Sequence, residues 1–189
     1  MFIVMLPANP TAELLTVEDY RATPEGTRYQ LIEGELIMSP GPNRDHQDLV
    51  LNLVDILRAY VRAHPIGRIY AVPCDVFLSE NDVVQPDVLF VAQSGRATLA
   101  DDGIHGPPDL VVEVLSWSTA QLDKKRKRLI YAKAGVRELW LVDPLLLQIQ
   151  RYDFARDPAK PVQLIEENET FSTPLLAGLT FSASEIFKR

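Results

Sequence analysis

Three acids, a lysine and a tyrosine stand out by position. Asp87 follows Pro86 and precedes the apolar run VLFV, while Glu113 lies inside Pro108 to Leu115, PDLVVEVL. Asp123, Lys127 and Tyr131 recur at four-residue spacing in LDKKRKRLIYAKAG. In an extended segment side chains alternate, so Asp109, Val111, Glu113 and Leu115 share one face. Asp109, at the mouth of that segment, is expected to be solvated. Glu113 has two valines before it and Val-Leu after it, and a buried carboxylate without a partner costs several kcal/mol or takes up a proton. Two such acids on adjacent strands repel each other unless a cation lies between them. A hard divalent ion, Mg²⁺ or Mn²⁺, answers this, because it needs only one or two carboxylates plus water and phosphate oxygens. Asp87 and Glu113 are therefore the candidate metal ligands. Asp123, Lys127 and Tyr131 fall on one stripe of a helix. A lysine beside a metal-bound water and a scissile phosphate stabilises developing negative charge. The rest of the run from Lys124 to Arg128 is expected to be a solvated basic face, able to touch a phosphate backbone without reading sequence.

The elements that must position these groups can be read in order. Residues 1–10 form a loose tail, and residues 11–189 suffice for a single domain. LTVEDYRAT, with Thr16 as N-cap and Glu18 and Asp19 in the first turn, predicts a short helix. Tyr29 to Ser39 has strand character around a break at Gly34. If that strand is regular, Glu33 and Glu35 share a face, and Glu35 is the one expected to turn toward the site. After the turn PGPN, Leu49, Leu53, Ile56, Leu57 and Tyr60 carry the period of an amphipathic helix over His46 to Ala63. Three β-like segments follow: Gly67 to Leu78, Val83 to Val91 and Asp109 to Leu115. SENDV forms a hairpin connection, and Gln93 to Pro107 reads as a polar loop. Gln121 to Ala134 reads as a helix closed by Gly135, with Thr119 as its N-cap. Glu138 to Val142 is a short strand stopped by Asp143-Pro144. Leu147 to Tyr152 and Val162 to Glu166 read as added antiparallel strands, and GLTFSASEIF as a strand with a capped helical turn. The strand–helix–strand from Asp109 to Val142 predicts a parallel, right-handed crossover, and the whole order predicts a mixed α/β sheet with helices on its faces.

Composition limits the function classes. The chain has 189 residues, 47% hydrophobic and 24% charged, which suits a soluble globular domain. No apolar run approaches the roughly 20 residues of a membrane helix, and MFIVML has no basic lead-in, so neither a membrane span nor a signal peptide is expected. The single Cys74 excludes an intrachain disulfide, suits a reducing cytoplasm and reads as a small buried hydrophobe. The net charge of −7 and a pI near 5.0 argue against a standing high-affinity nucleic-acid binder. They are compatible with an enzyme whose acidic site takes a cation. The histidines and Cys74 have no zinc spacing, so zinc is disfavoured. No G-x-S-x-G elbow is present. His64 and His105 read as loop residues, and Trp140 as packing.

Several of these motifs, taken together, resemble the Uma-type restriction endonuclease family, formerly a domain of unknown function, of the PD-(D/E)XK nuclease superfamily. The matching residues are Pro86-Asp87, Glu113 to Thr119, the spaced Asp123, Lys127 and Tyr131, and AGVRELWLVDP at Ala134 to Pro144. Upstream YQLIEGELIMSP, His46 and the late PLLAGLTFS extend the resemblance over nearly the whole chain. It implies an α/β restriction-endonuclease-like fold, a central mixed sheet flanked by helices with extra antiparallel strands near the C-terminus. It also implies Mg²⁺- or Mn²⁺-dependent hydrolysis of DNA phosphodiester bonds, with Asp87 and Glu113 as metal-binding catalytic acids. The superfamily lysine normally stands two residues after the second acid, where this chain has Leu115; Lys127 is the candidate migrated lysine. Gln30 stands where relatives usually carry an acid, which leaves Glu35 as the auxiliary carboxylate. Trp117 stands where relatives often have proline. Tyr131 completes the motif, and His46 is expected either to orient phosphate or water or to bond backbone at the helix start. A homodimer would supply one site for each strand of a duplex. The rival expectation is a nuclease fold without catalysis, serving as a DNA-binding or interaction module.

Overall fold

A computed structural model describes residues 13–24, 26–116 and 120–188. The expected tail over residues 1–10 lies outside them, as do Trp117, Ser118 and the proposed N-cap Thr119.

The chain enters through the short helix α1 (Val17–Arg21), where Asp19 accepts the Thr16 backbone N–H at 2.8 Å in a capping box. Strands β1 (Tyr29–Ile32) and β2 (Glu35–Met38) then pair antiparallel. This corrects the expectation of one bent strand. Glu33 and Gly34 take φ of +52° and +76°, the two positive values that a tight two-residue hairpin turn requires. Glu33 therefore sits in a turn and shares no strand face with Glu35. Helix α2 (Arg44–Ala63) begins two residues earlier than its apolar period implied, because the Asn43 side chain accepts the His46 backbone N–H at 2.8 Å.

Two of the β-like segments divide. Gly67 to Leu78 becomes β3 (Gly67–Ala71) and β4 (Val76–Ser79), and Val83 to Val91 becomes β5 (Asp82–Val84) and β6 (Val88–Ala92). The expected polar loop from Gln93 to Pro107 contains a small hairpin, β7 (Thr98–Ala100) and β8 (Gly103–His105). Its residues are short and mostly exposed, so no apolar alternation marked them. Strand β9 (Leu110–Val114) leads to a helix whose first part, Leu122–Lys127, is wound as a π-helix before continuing as α3 (Arg128–Ala134). Gly135, at φ +91°, closes it as expected. Strands β10 (Glu138–Asp143), β11 (Gln148–Asp153) and β12 (Gln163–Glu166) form an antiparallel run. A hairpin of β13 (Thr170–Ser172) and β14 (Thr180–Ser182) with α4 (Ser184–Phe187) ends the described chain.

The strands assemble into two six-stranded mixed sheets, where one central sheet was expected. The first runs β2-β1-β5-β4-β8-β7 and the second β12-β11-β10-β9-β6-β3. Only β9 and β10 are parallel in the second sheet, Glu113 facing Leu141 in register, so the predicted crossover is present. One face of this sheet buries Val88, Phe90, Val112, Val114, Trp140 and Val142 against Leu49, Leu53 and Leu57 of α2. The other buries Leu89, Val111, Leu139 and Leu141 against Ile130 and Tyr131 of α3 and against Ile32, Val76 and Val84 of the first sheet. The chain passes from the first sheet to the second between β5 and β6, at Gln85-Pro86-Asp87. Among the described residues no helix is long and apolar enough to cross a membrane.

Candidate active site

Proline at position 86 has no N–H to give and holds its own φ, so it ends pairing in one sheet and lets it resume in the other. Asp87 consequently stands at the seam. Its Oδ2 accepts the backbone N–H of Val114 at 2.7 Å, which ties the seam to the C-terminal end of β9. His46, in the first turn of α2, approaches from the other side. Its Nε2 lies 3.1 Å from the Val114 carbonyl oxygen and 3.3 Å from Asp87 Oδ2. His46 thus bonds backbone, as the second of its two expectations had it, although the carbonyl belongs to β9 rather than to the helix start, and it also touches the acid.

Glu113 points toward the π-helix and α3. Lys127 Nζ lies 2.5 Å from Glu113 Oε1, and the Tyr131 hydroxyl donates to the same oxygen at 2.5 Å. Asp123 Oδ1 is 3.4 Å from Lys127 Nζ. The stripe read from the four-residue spacing thus converges on Glu113. Asp123 and Lys127 lie on the π-helical turn, a winding that concentrates at functional sites. These groups are withdrawn from solvent, with side-chain exposures of 3% for both Glu113 and Lys127 and 14% for Asp87.

Burial governs the electrostatics. Desolvation raises the Glu113 carboxyl to about 8; Lys127 works against that shift, while the charges of Asp123 and Asp87 add to it. Burial alone would lower Lys127, but Glu113 and Asp123 outweigh it and hold the ammonium above its ordinary range. Tyr131 is raised well above the ordinary phenol by burial and by Glu113. For His46, burial would lower the imidazole, yet the hydrogen bond and charge of Asp87 leave it raised.

The remaining candidates lie elsewhere. Glu35 accepts from Arg126 at 2.8 Å, Glu33 accepts from it at 2.7 Å, and the Ile32 carbonyl oxygen accepts at 3.0 Å. Arg126 thus clamps the β1–β2 turn onto the π-helix, and Glu35 is held there rather than beside Asp87 and Glu113. Gln30 is engaged with Ser39 at 2.6 Å and with the Gln85 backbone N–H at 2.9 Å. The basic run is also not the solvated face expected of it. Lys124 pairs with Asp143 at 3.1 Å, and Arg128 packs over the Tyr152 ring and donates to the Pro158 carbonyl, while Lys125 is exposed. Asp109 is buried, accepting the Ala92 N–H at 2.8 Å, so it is not solvated. Cys74 is only half-buried. The involvement of Asp123 as more than a helix-stripe residue was missed, although its four-residue offset from Lys127 was visible.

Among the described residues no group of three or more His, Cys, Asp or Glu side chains is drawn together as a ready-made metal cage. The donor chemistry nevertheless fits a hard divalent ion. Asp87 and Glu113 offer two carboxylates, Asp123 adds a third negative charge nearby, and Lys127 supplies a fixed positive charge facing them. Mg²⁺ takes one or two carboxylates and completes its shell with water and phosphate oxygens.

The chain matches a family described as "Uma2: Putative restriction endonuclease" over residues 17–184. It is 26% identical over 151 residues to the uncharacterized protein sll1609 of Synechocystis, covering 78% of this chain and 85% of that one. It superposes with TM-score 0.77 and 22% identity on the crystal structure of "a putative nuclease belonging to DUF820" from Anabaena variabilis. That likeness covers 92% of this chain and 97% of the other, and it shows a shared restriction-endonuclease-like fold. With the match running from the first helix to the last, the chain belongs to the Uma2 family.

Proposed function

We propose that this protein is a divalent-metal-dependent endonuclease that hydrolyses phosphodiester bonds of DNA. The observation that carries the reading is the buried cluster of Glu113, Lys127 and Tyr131, with Asp87 tied to the neighbouring Val114 N–H and near enough for its charge to act on Glu113. Asp87 and Glu113 are the residues that would hold Mg²⁺ or Mn²⁺. A bound ion of this kind lowers the pKa of its water and polarises the phosphate. Lys127 supplies a positive charge held in place by Glu113 and Asp123, suited to a developing pentavalent phosphate. Tyr131 fixes the orientation of Glu113 by donating to Oε1. His46 holds Asp87 against the end of β9. A homodimer would put one such site on each strand. The test is cleavage of supercoiled plasmid with Mg²⁺, Mn²⁺ or EDTA, alongside single-stranded DNA and RNA. Asp87→Ala should abolish metal-stimulated cleavage while leaving the fold intact; full cleavage by that variant would sink the assignment.

One observation favours a second reading, a nuclease fold used only for binding. Lys127 is 3% exposed and already engaged by two carboxylates, so it is not displayed to a phosphate. Calorimetric titration with Mn²⁺ at neutral pH separates the two, since a binding module needs no metal.

A further inference from the structure

His46 carries a contradiction within one ring. Its Nε2 faces two oxygens, the Val114 carbonyl at 3.1 Å and Asp87 Oδ2 at 3.3 Å. A carbonyl oxygen only accepts, so Nε2 must bear the hydrogen. The other ring nitrogen, Nδ1, is buried and has no hydrogen-bond partner among the described residues. A buried polar atom left unsatisfied costs free energy, and such an atom in an otherwise satisfied interior calls for an explanation. Every other contact at this corner is met, since Asp87 also takes the Val114 N–H and the His46 backbone N–H is capped by Asn43. The ring is therefore held in a pose that pleases one end and starves the other.

The explanation lies in what the two oxygens are for. Asp87 Oδ2 and Val114 O both lie within hydrogen-bond reach of a single point, and that point is occupied by a polarised N–H, the positive end of a bond dipole. A divalent cation held by this oxygen of Asp87 would be drawn to the same place. We propose that His46 is an intramolecular placeholder for the metal, its Nε2–H filling the oxygen pair that the ion takes over, so that the imidazole leaves these oxygens when metal enters. Departure frees Nδ1 from its unsatisfied position and lets the ring meet water or substrate phosphate instead. The proposal rests on the reading of Asp87 as a metal ligand. His46 is a positioning residue in this scheme, acting through Asp87 and Val114 on where and how tightly the ion sits.

Placeholder and ligand make opposite predictions for metal affinity. Removing a competitor tightens binding; removing a ligand weakens it. Mn²⁺ binding to the full chain can be followed by electron paramagnetic resonance of the free ion. His46→Ala should bind Mn²⁺ roughly fivefold more tightly than wild type, the equivalent of one ordinary hydrogen bond removed from the competing state. His46→Gln, which restores an N–H donor, should return affinity toward wild type. Nitrogen-15 spectra of the side chain give a second readout independent of folding yield. Metal-free protein, at a pH above the raised His46 titration, should show the Nε2–H tautomer for His46, and that signal should shift or exchange away when Mg²⁺ is added. Weaker or unchanged Mn²⁺ binding by His46→Ala, or an Nε2–H signal indifferent to Mg²⁺, overturns the placeholder while leaving the metal reading standing. Failure of wild type and both variants to bind Mn²⁺ overturns both.

Discussion

Lys127 Nζ and Glu113 Oε1 stand 2.5 Å apart in a site where each side chain is almost wholly withdrawn from water. A pair in that setting is held by its own attraction against a large desolvation cost, and breaking it by removing one partner is far more damaging than replacing both. The pair is also asymmetric. Lys127 keeps its proton firmly, whereas Glu113, stripped of water and with the charges of Asp123 and Asp87 nearby, is pushed up to about 8.

That asymmetry sets a pH dependence. Glu113 has a folded pKa of about 8 against an ordinary value of 4.5, so the fold favours its protonated form. The stability this contributes is complete below pH 4.5 and is lost as pH rises toward 8. Lys127 is raised from 10.5 and contributes evenly below that value, so it does not move within the window. His46, raised from 6.5, adds a loss in the same direction as pH passes through its titration. The metal-free protein should therefore melt at lower temperature at pH 8 than at pH 5. Glu113→Gln, which cannot titrate, should show a clearly smaller fall. Thermal scans by circular dichroism decide it, and a wild-type melting point that climbs over this range contradicts the assignment.

Tyr131→Phe removes only the hydroxyl that donates to Glu113 Oε1. The expected cost is about 1–2 kcal/mol of stability, or roughly 3–6 °C in Tm, because the carboxylate loses one of two donors and the ring still fills its place. Cleavage by this variant should fall without vanishing, since Lys127 still holds Glu113. Equilibrium unfolding in urea and plasmid cleavage, measured on the same preparation, test both halves.

A second buried acid gives a contrasting expectation. Glu138 accepts from Arg151 at 2.7 Å, from Thr173 at 2.6 and 2.8 Å and from the Trp140 indole at 3.0 Å. Every partner is satisfied, and Arg151 is itself buried. Glu138→Ala strands that guanidinium and should cost about 3–5 kcal/mol, with Glu138→Gln intermediate. The loss should appear as a lower urea midpoint at unchanged slope.

Gly67 opens edge strand β3 where space is absent. A methyl there would lie 2.3 Å from the Val91 carbonyl oxygen and 2.4 Å from the Phe90 ring. Backbone cannot yield cheaply, so Gly67→Ala should destabilise by about 2–3 kcal/mol. A melting point within error of wild type would show that β3 moves aside without penalty.

Much of this was legible from residue types. Glu113 was marked because it stands in a valine-rich strand, and that strand is buried on both faces, with Glu113 itself covered by Lys127 and Tyr131. The stripe of Asp123, Lys127 and Tyr131 was marked by spacing, and it converges as helical periodicity requires. The Gly135 stop and the antiparallel β10–β12 run followed from local chemistry. What failed was decided at longer range. The division of Val83 to Val91 between two sheets falls at Gln85-Pro86-Asp87, a break whose meaning was missed because the apolar residues on either side are buried equally well, each in its own sheet. The β1–β2 turn was misjudged because Glu33 adopts a positive φ that its side chain does not advertise. Glu35 was assigned to the site on a strand face that does not exist, and only the fold reveals that Arg126 claims it. The π-helix likewise leaves no mark in the four-residue period, which suits either winding.

The passage of the chain between sheets at Gln85-Pro86-Asp87 has a further meaning. Glu113, Lys127 and Tyr131 all belong to the second sheet and the helix that covers it, whereas Asp87 stands on the strap joining that layer to the other. The site is thus part furniture and part hinge pin. The lysine, glutamate and tyrosine are held within the second sheet and its helix, whereas Asp87, though tied to β9 by the Val114 N–H, is also the residue whose backbone continues directly into the first layer. Substitutions at the seam would therefore reach Asp87 first and leave the cluster of Glu113, Lys127 and Tyr131 in place.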